Sequence, residues 1–296
     1  MQVHSIVTSQ FPDSRVSDLQ REVNAHFQSA AVFWKDIYHR SDVYSVIHQQ
    51  RQRVVLEIVD HLGLPRSSRI LEVGCGAGLT TVELARRGFH IEAVDVVENM
   101  LALTRQSAAN AEVEGRVKTS FADAHALPHD GNKFDLILAM GVVPWLHSPR
   151  EALQEMARVL KPGGHMIVNS DNRWRLNHVV DPLRFPPLEH LRRRLSPLLQ
   201  RIGLRRPVTR SHRYSLKQFD SFLLQAGLEK ASSRTLGYGP FSFLNYEILP
   251  DSIGVQVHCV LQKLADRRWP VIQSTGSQYI VLARKRQRNQ NRVGQS

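Results

Sequence analysis

The chain holds 296 residues, 42% hydrophobic and 22% charged, with 39 Lys and Arg against 27 Asp and Glu, a formal net charge of +12 at pH 7. That length supports a real core. No run approaches the roughly 18 apolar residues of a bilayer span, and the opening MQVHSIVTSQFPDSR lacks a basic stretch followed by an apolar one, so neither membrane spanning nor secretion is expected.

In chain order, Ser17 to about Gly63 reads as helical, with Ile47, Val54, Val55, Ile58, Val59 and Leu62 at three- and four-residue spacings and Gly63 and Pro65 as a stop. Phe27, Phe33, Trp34, Tyr38 and Tyr44 in this stretch are either core or the wall of a small-molecule pocket. Short β runs and helical patterns then alternate. Strands are predicted at Arg69–Val73, His90–Asp95, Val117–Phe121, Phe134–Ala139 and His165–Asn169, with helices at Leu79–Arg87, Glu98–Asn110 and Pro149–Leu160. Such alternation implies right-handed βαβ units and a parallel sheet covered on both faces.

The rhythm breaks between Asp171 and Tyr214. From Arg173 to Arg213 eleven arginines face only Asp181 and Glu189, a net of +9, and LEHLRRRLSPLLQRIG suggests basic amphipathic helices split by Pro197. This basic insertion reads as a solvated surface, as an interfacial element lying on an anionic membrane, or as a site for an acidic ligand or RNA. A helix at Ser215–Ala226 and a strand at Leu228–Leu236 follow. Residues 237–276 form a second irregular stretch with a helical pattern at Ile253–Leu264, and Gln278–Ala283 is a last strand. From Arg284 the tail carries five bases and no acid, so the positive charge belongs to two segments and the remaining body is near neutral.

Two cysteines, Cys75 and Cys259, with no CxxC or Cys/His spacing, argue against a disulfide framework and a zinc ribbon and make a reduced cytoplasmic setting the default.

The chemistry is concentrated in Ile70-Leu-Glu-Val-Gly-Cys-Gly-Ala-Gly78, a buried strand running into glycines and then a helix. Glycines at 74, 76 and 78 let the backbone bend tightly and approach a ligand. A dinucleotide fingerprint needs its third glycine at position 79, which is Leu79, and no Gly-Lys-Ser/Thr follows for a phosphate-cradling loop. Asp95 ends the second strand 17 residues past Gly78, where an acid accepts from ribose hydroxyls in nucleotide-binding α/β folds, and is otherwise a helix cap. Asp123, after the third strand, sits at the ligand-binding edge, with an adenine-edge contact as its expected role.

In order, LEVGCGAG, IEAVD, FADAHALP and FDLILAMGVVPWLHSPREALQEMARVLKPGGHMIV resemble the class I S-adenosylmethionine-dependent methyltransferases over roughly residues 69 to 170. The resemblance implies a Rossmann-like seven-stranded α/β sheet, mostly parallel with its last strand antiparallel. It implies a cofactor site of Glu72, Gly74, Cys75, Gly76 and Gly78 at the turn, Asp95 at the ribose, Asp123 and Ala124 at the adenine, and Met140 and Gly141 beside the methionine moiety. Where many small-molecule members carry a His pair after the fourth strand, this chain has Pro144-Trp145, with His147 two residues later.

Transfer from a sulfonium needs alignment and water exclusion more than a metal or covalent nucleophile. A hydroxyl acceptor adds use for a base, with His147, Asp171 and Tyr238 as candidates; the plainer reading of each, as a loop, capping or packing residue, is the stronger one. The expected organisation is one domain over 1–296: a helical N-terminal cap (1–65), a cofactor core (66–170), the basic insertion (171–214), a C-terminal half (215–283) carrying the 237–276 insertion, and a basic tail (284–296). Cap and insertions are expected to converge as a lid over the C-terminal edge of the sheet. The expected function is methyl transfer from S-adenosylmethionine to a small, hydrophobic or lipid-linked acceptor at oxygen or carbon, with peripheral contact to an anionic membrane through residues 184–206. The alternatives are a non-catalytic cofactor-binding protein and a methyltransferase on RNA. The absence of an Asn/Asp-Pro-Pro-aromatic sequence after the fourth strand argues against nucleic acid.

Overall fold

The computed structural model describes residues 21–287 apart from 22, 26, 30, 38, 39, 189, 191–193, 195–210 and 245. Most of the basic 184–206 segment, the helices expected around Pro197 and most of the basic tail therefore lie outside the described residues.

Strands β1 (Arg69–Val73), β2 (His90–Asp95), β3 (Val117–Phe121), β4 (Phe134–Ala139) and β5 (Leu160–Asn172) pair in parallel. With β7 (Leu228–Leu236) and β10 (Gln278–Lys285) the sheet runs β3-β2-β1-β4-β5-β10-β7, and β10 lies antiparallel between β5 and β7. This is the seven-stranded arrangement expected from the sequence; a two-residue strand, β6 (Arg213–Tyr214), also pairs with the end of β5. The chain winds outward through β1, β2 and β3 and then returns to place β4 on the other side of β1. The crevice beyond the carboxyl ends of β1 and β4 is thus the topological switch point, where open α/β sheets bind ligands.

Both sheet faces are covered, so the central strands read as continuous apolar runs. Alternate side chains serve opposite cores. Leu71, Val73, Ile137, Ala139, Met166 and Val168 pack toward α5 (Pro149–Val159) and α7 (Leu216–Gln225), which contribute Leu153, Met156, Phe219 and Phe222. Ile70, Ile91, Leu136, Leu138 and Ile167 pack toward α2 (Val43–His61) and α3 (Leu79–Arg86), with Leu101 of α4 (Glu98–Asn110) in the same cluster. Each buried Val, Leu, Ile, Met or Phe side chain among them contributes about 1.5–3 kcal/mol of transfer free energy.

Three expectations are corrected. The N-terminal segment is not one continuous helix: residues 21, 23–25 and 27–29 and α1 (Ala31–Asp36) are helical, the chain then breaks, and α2 restarts at Val43. The restart is local chemistry, since Asp42 caps α2 by accepting from the Ser45 N–H at 3.0 Å and the Ser45 hydroxyl at 2.8 Å. Strand β5 begins five residues before the predicted His165, because Leu160 pairs with Phe134 through an irregular register that Pro162, Gly163 and Gly164 accommodate. In the 237–276 stretch a short hairpin of β8 (Ser242–Phe243) and β9 (Tyr246–Glu247) precedes α8 (Asp251–Asp266), which is longer than the predicted Ile253–Leu264. The basic insertion contains α6 (Leu176–Val180), and α6 packs against β8. Among the described residues no helix is long and apolar enough to cross a membrane.

Candidate functional site

At the switch point lies a cavity of about 420 Å³. Its floor is the turn after β1. Its walls come from the helical N-terminal residues, from Asp171 at the end of β5 and Arg175, Asn177 and Arg184 after it, and from Gly239 and Pro240 after β7. The three segments added to the core thus meet over the carboxyl edge of the sheet. A second, more open hollow of about 490 Å³ lies at the opposite edge, among strand starts such as Arg69, His90 and Val117.

The turn is built by steric necessity. Gly74 has φ +69°, and a Cβ there would lie 2.4 Å from the Val142 side chain; Gly78 has φ +78°, and a Cβ would meet the Thr104 backbone at 2.8 Å. Only glycine allows this closeness together with a left-handed backbone. Gly76 is different: its φ is +55°, and a Cβ there would meet nothing within 4 Å. Gly74 and Gly76 line the cavity; Gly78 instead packs α3 against α4.

Asp95 ends β2 with its carboxylate in the cavity wall. One oxygen accepts from the Gly76 N–H and the other from the Val97 N–H, each at 3.0 Å. A carboxylate has about four lone-pair sites, so acceptor capacity remains for a ligand. Burial holds its pKa above the usual range despite these bonds. Glu72, buried in β1, receives the Thr81 hydroxyl, and burial pushes its carboxyl up to about 7. Cys75 also lines the cavity, but burial drives its thiol pKa far up and its sulfur lies 3.4 Å from the Thr104 hydroxyl, so it is no ready nucleophile.

Met140 and Gly141 leave β4 into the same cavity, where the Gly141 N–H donates to Asn169 Oδ1 at 2.6 Å. A Cβ on Gly141 would stand 3.2 Å from the Arg51 guanidinium, which reaches over this loop from α2. Arg51 lines the cavity and forms no hydrogen bond or ion pair with the described residues. Sequence reasoning passed over Arg51 and its neighbour His48, since both look like ordinary residues of an amphipathic helix. Of the five aromatics marked in the sequence, Phe27, Trp34 and Tyr44 line the cavity and Trp145 joins them. Phe33 packs against Trp34 and Tyr44, and Tyr38 lies outside the described residues.

Other sequence candidates are not brought to the cavity. Asp123 is taken by His125, whose Nδ1 lies 2.6 Å and whose backbone N–H lies 2.9 Å from the same carboxylate oxygen. Burial raises the Asp123 pKa, but these bonds from His125 outweigh it and leave the carboxyl below its usual range. His147 stacks on His125 at 3.8 Å, so Asp123, Ala124, His125 and His147 make a separate cluster beyond the cavity lining. Tyr238 is buried, and its hydroxyl donates to the Ile272 carbonyl at 2.5 Å, with burial pushing it up to about 12. Of the three candidate bases only Asp171 lines the cavity, where it accepts from Arg175 at 3.0 Å.

Residues 71–168 match the family described as Methyltransferase domain. Similar curated proteins include a Ubiquinone biosynthesis O-methyltransferase of Aeromonas salmonicida (strain A449), 28% identical over 149 residues covering 50% of this chain and 61% of that protein. Another is a Demethylmenaquinone methyltransferase of Clavibacter sepedonicus, 37% identical over 100 residues, or 34% of this chain and 40% of that one. The chain spans about 60% of the length of the first curated relatives. Among solved structures, magnesium protoporphyrin IX methyltransferase from Synechocystis PCC 6803 with bound SAH superposes with TM-score 0.61 at 16% identity, covering 90% of this chain and all of that one. The [4+2]-cyclase SpnF superposes at 0.55 with 22% identity over 81% of this chain and 82% of its own, so the fold by itself does not name a reaction. With the family match across the cofactor core, the glycine turn and the seven-stranded order in agreement, residues 71–168 form a methyltransferase domain of the class I S-adenosylmethionine-dependent type.

Proposed function

We propose that the protein transfers a methyl group from S-adenosylmethionine to a small, hydrophobic or lipid-linked acceptor at oxygen or carbon. One observation carries this reading: a single cavity joins the glycine turn and Asp95 on its sheet side to an aromatic wall of Phe27, Trp34, Tyr44 and Trp145 on its lid side. Relatives named for ubiquinone biosynthesis and for demethylmenaquinone support an apolar acceptor.

The residues fit the cofactor. Gly76 leaves room for close approach, Asp95 keeps lone pairs for ribose hydroxyls, and Val97 and Met100 line the stretch beyond for the adenine. Arg51, without an ion-pair partner among the described residues, suits the carboxylate of the methionine end at Gly141. When bound, the cofactor supplies a methyl carbon already activated by its sulfonium. The chain's own share is to align the acceptor and to exclude water, a role that the segments lining the cavity suit. Calorimetry of S-adenosylmethionine binding to the native chain and to Asp95→Ala tests this. An affinity loss of tenfold or more is expected, about 1.4 kcal/mol, and equal affinity refutes the site.

A peripheral contact with an anionic membrane belongs to the same proposal. Its support is the eleven arginines between Arg173 and Arg213, together with exposed Val179, Val180 and Leu188 and the exposed Phe243, Tyr246 and Ile248 of the hairpin region.

A further inference from the structure

His48 stands one helical turn before Arg51 on α2, so the two project from the same face, about 5–6 Å apart at Cβ. Both line the cavity, and the Arg51 guanidinium stands beside Gly141, just past the end of β4. The His48 ring is buried within the aromatic wall, 4.2 Å from the Tyr44 ring and 5.5 Å from that of Trp34.

Its tautomer is decided by geometry. Nδ1 lies 2.8 Å from the Tyr44 carbonyl oxygen, which can only accept, so Nδ1 carries the hydrogen and Nε2 keeps a lone pair. No described residue donates to that lone pair. In the same wall the Trp34 indole N–H is buried without an acceptor among the described residues. An acceptor on His48 and a donor on Trp34 thus stand uncommitted in one aromatic wall, and native interiors seldom leave a buried donor such as the Trp34 N–H unmatched. Of the cavity carboxylates, Asp171 is held by Arg175 and Glu72 by Thr81, and Asp95 lies at the turn, on the cofactor side of the cavity.

Resting on the methyl-transfer reading, we propose that the acceptor is a hydroxyl-bearing aromatic ring and that His48 Nε2 accepts the hydrogen bond of that hydroxyl. The ring lies against Trp34 and Tyr44, and the hydroxyl oxygen is oriented with a lone pair free for the incoming methyl group. Burial and the Arg51 charge push the His48 pKa down to about 3, so its imidazole is neutral at pH 7. A phenol titrates near pH 10, roughly seven orders of magnitude away, so His48 orients and selects rather than removing the proton outright.

The test is calorimetry on protein loaded with S-adenosylhomocysteine, using 4-tert-butylcatechol and its dimethyl ether, two ligands of like shape of which only the first can donate. The native chain is expected to favour the catechol about tenfold, the scale of one net hydrogen bond. His48→Phe keeps the ring and should bind both within twofold of each other. His48→Gln, whose amide oxygen also accepts, should retain a preference of severalfold. The inference is overturned if His48→Phe keeps the native preference, if the native chain or His48→Gln takes the ether as tightly as the catechol, or if neither ligand binds the native chain. S-adenosylhomocysteine affinity in all three proteins separates the two levels: its loss in the native chain removes the methyl-transfer reading itself, whereas unaltered affinity confines failure to His48.

Discussion

Gly76 and Gly78 stand two residues apart in one turn with similar left-handed backbones, yet the structure predicts opposite consequences for alanine. At either position the left-handed conformation costs a non-glycine residue about 1–2 kcal/mol. At Gly76 nothing else is added, because the new Cβ would meet no atom within 4 Å. At Gly78 it would lie 2.8 Å from the Thr104 Cα, a backbone atom of α4 that moves only if the helix moves. Overpacking of that kind adds about 1–3 kcal/mol, for a total of about 2–5 kcal/mol. Urea unfolding followed by circular dichroism should therefore rank native above Gly76→Ala above Gly78→Ala in midpoint with unchanged slope. Binding should rank differently. The Gly76 Cβ projects into the space where the ligand backs onto the turn, so Gly76→Ala, though folded, should lose S-adenosylmethionine affinity by at least about tenfold, 1.4 kcal/mol. Equal midpoints for the two variants, or native affinity in Gly76→Ala, would refute the reasoning.

Two further outcomes are expected. The Glu72 carboxyl titrates near 7 when folded and near its ordinary value unfolded, so between about pH 4.5 and 7 the folded state holds the extra proton. The stability that Glu72 contributes is then present at the acid end and declines as pH rises through that window, by on the order of 3 kcal/mol. His48, depressed by burial, acts in the opposite sense between about pH 3 and 6.5. The test is therefore the urea midpoint of the native chain minus that of Glu72→Gln across this range, which should fall as pH rises toward 7; a flat difference would show that the carboxyl titrates at its ordinary value. For the membrane proposal, sedimentation with phosphatidylglycerol vesicles should exceed that with phosphatidylcholine and fall with salt. Changing Arg192, Arg193 and Arg194 to Glu should abolish the excess, and binding indifferent to lipid charge would remove the proposal.

The central strands were legible because a strand covered on both faces leaves a run of apolar residues, as in Ile70–Val73 and Leu136–Ala139, and α2, α3 and α7 each have a glycine within two residues of their ends. The glycine turn and Asp95 were legible for a related reason: turn, strand end and following helix are contiguous, so their geometry is set by neighbours in sequence. Asp42 was missed as a helix start because the apolar period continues across the break.

The chain's order of residues by itself determined the α/β class, the glycine turn, the acid after β2 and the confinement of positive charge to an insertion and a tail. Only the tertiary structure decided which polar groups face the cavity. Asp123, placed by its position after β3, is turned to His125 instead, and Tyr238 is spent on Ile272. Arg51 and His48, from a helix that ends before β1 begins, arrive at the carboxyl edge of the sheet. The physical reason is that hydrogen bonds and burial within a strand or turn follow from local sequence, whereas a side chain's partner across a cavity depends on how separate elements pack, and packing couples residues with no fixed spacing along the chain.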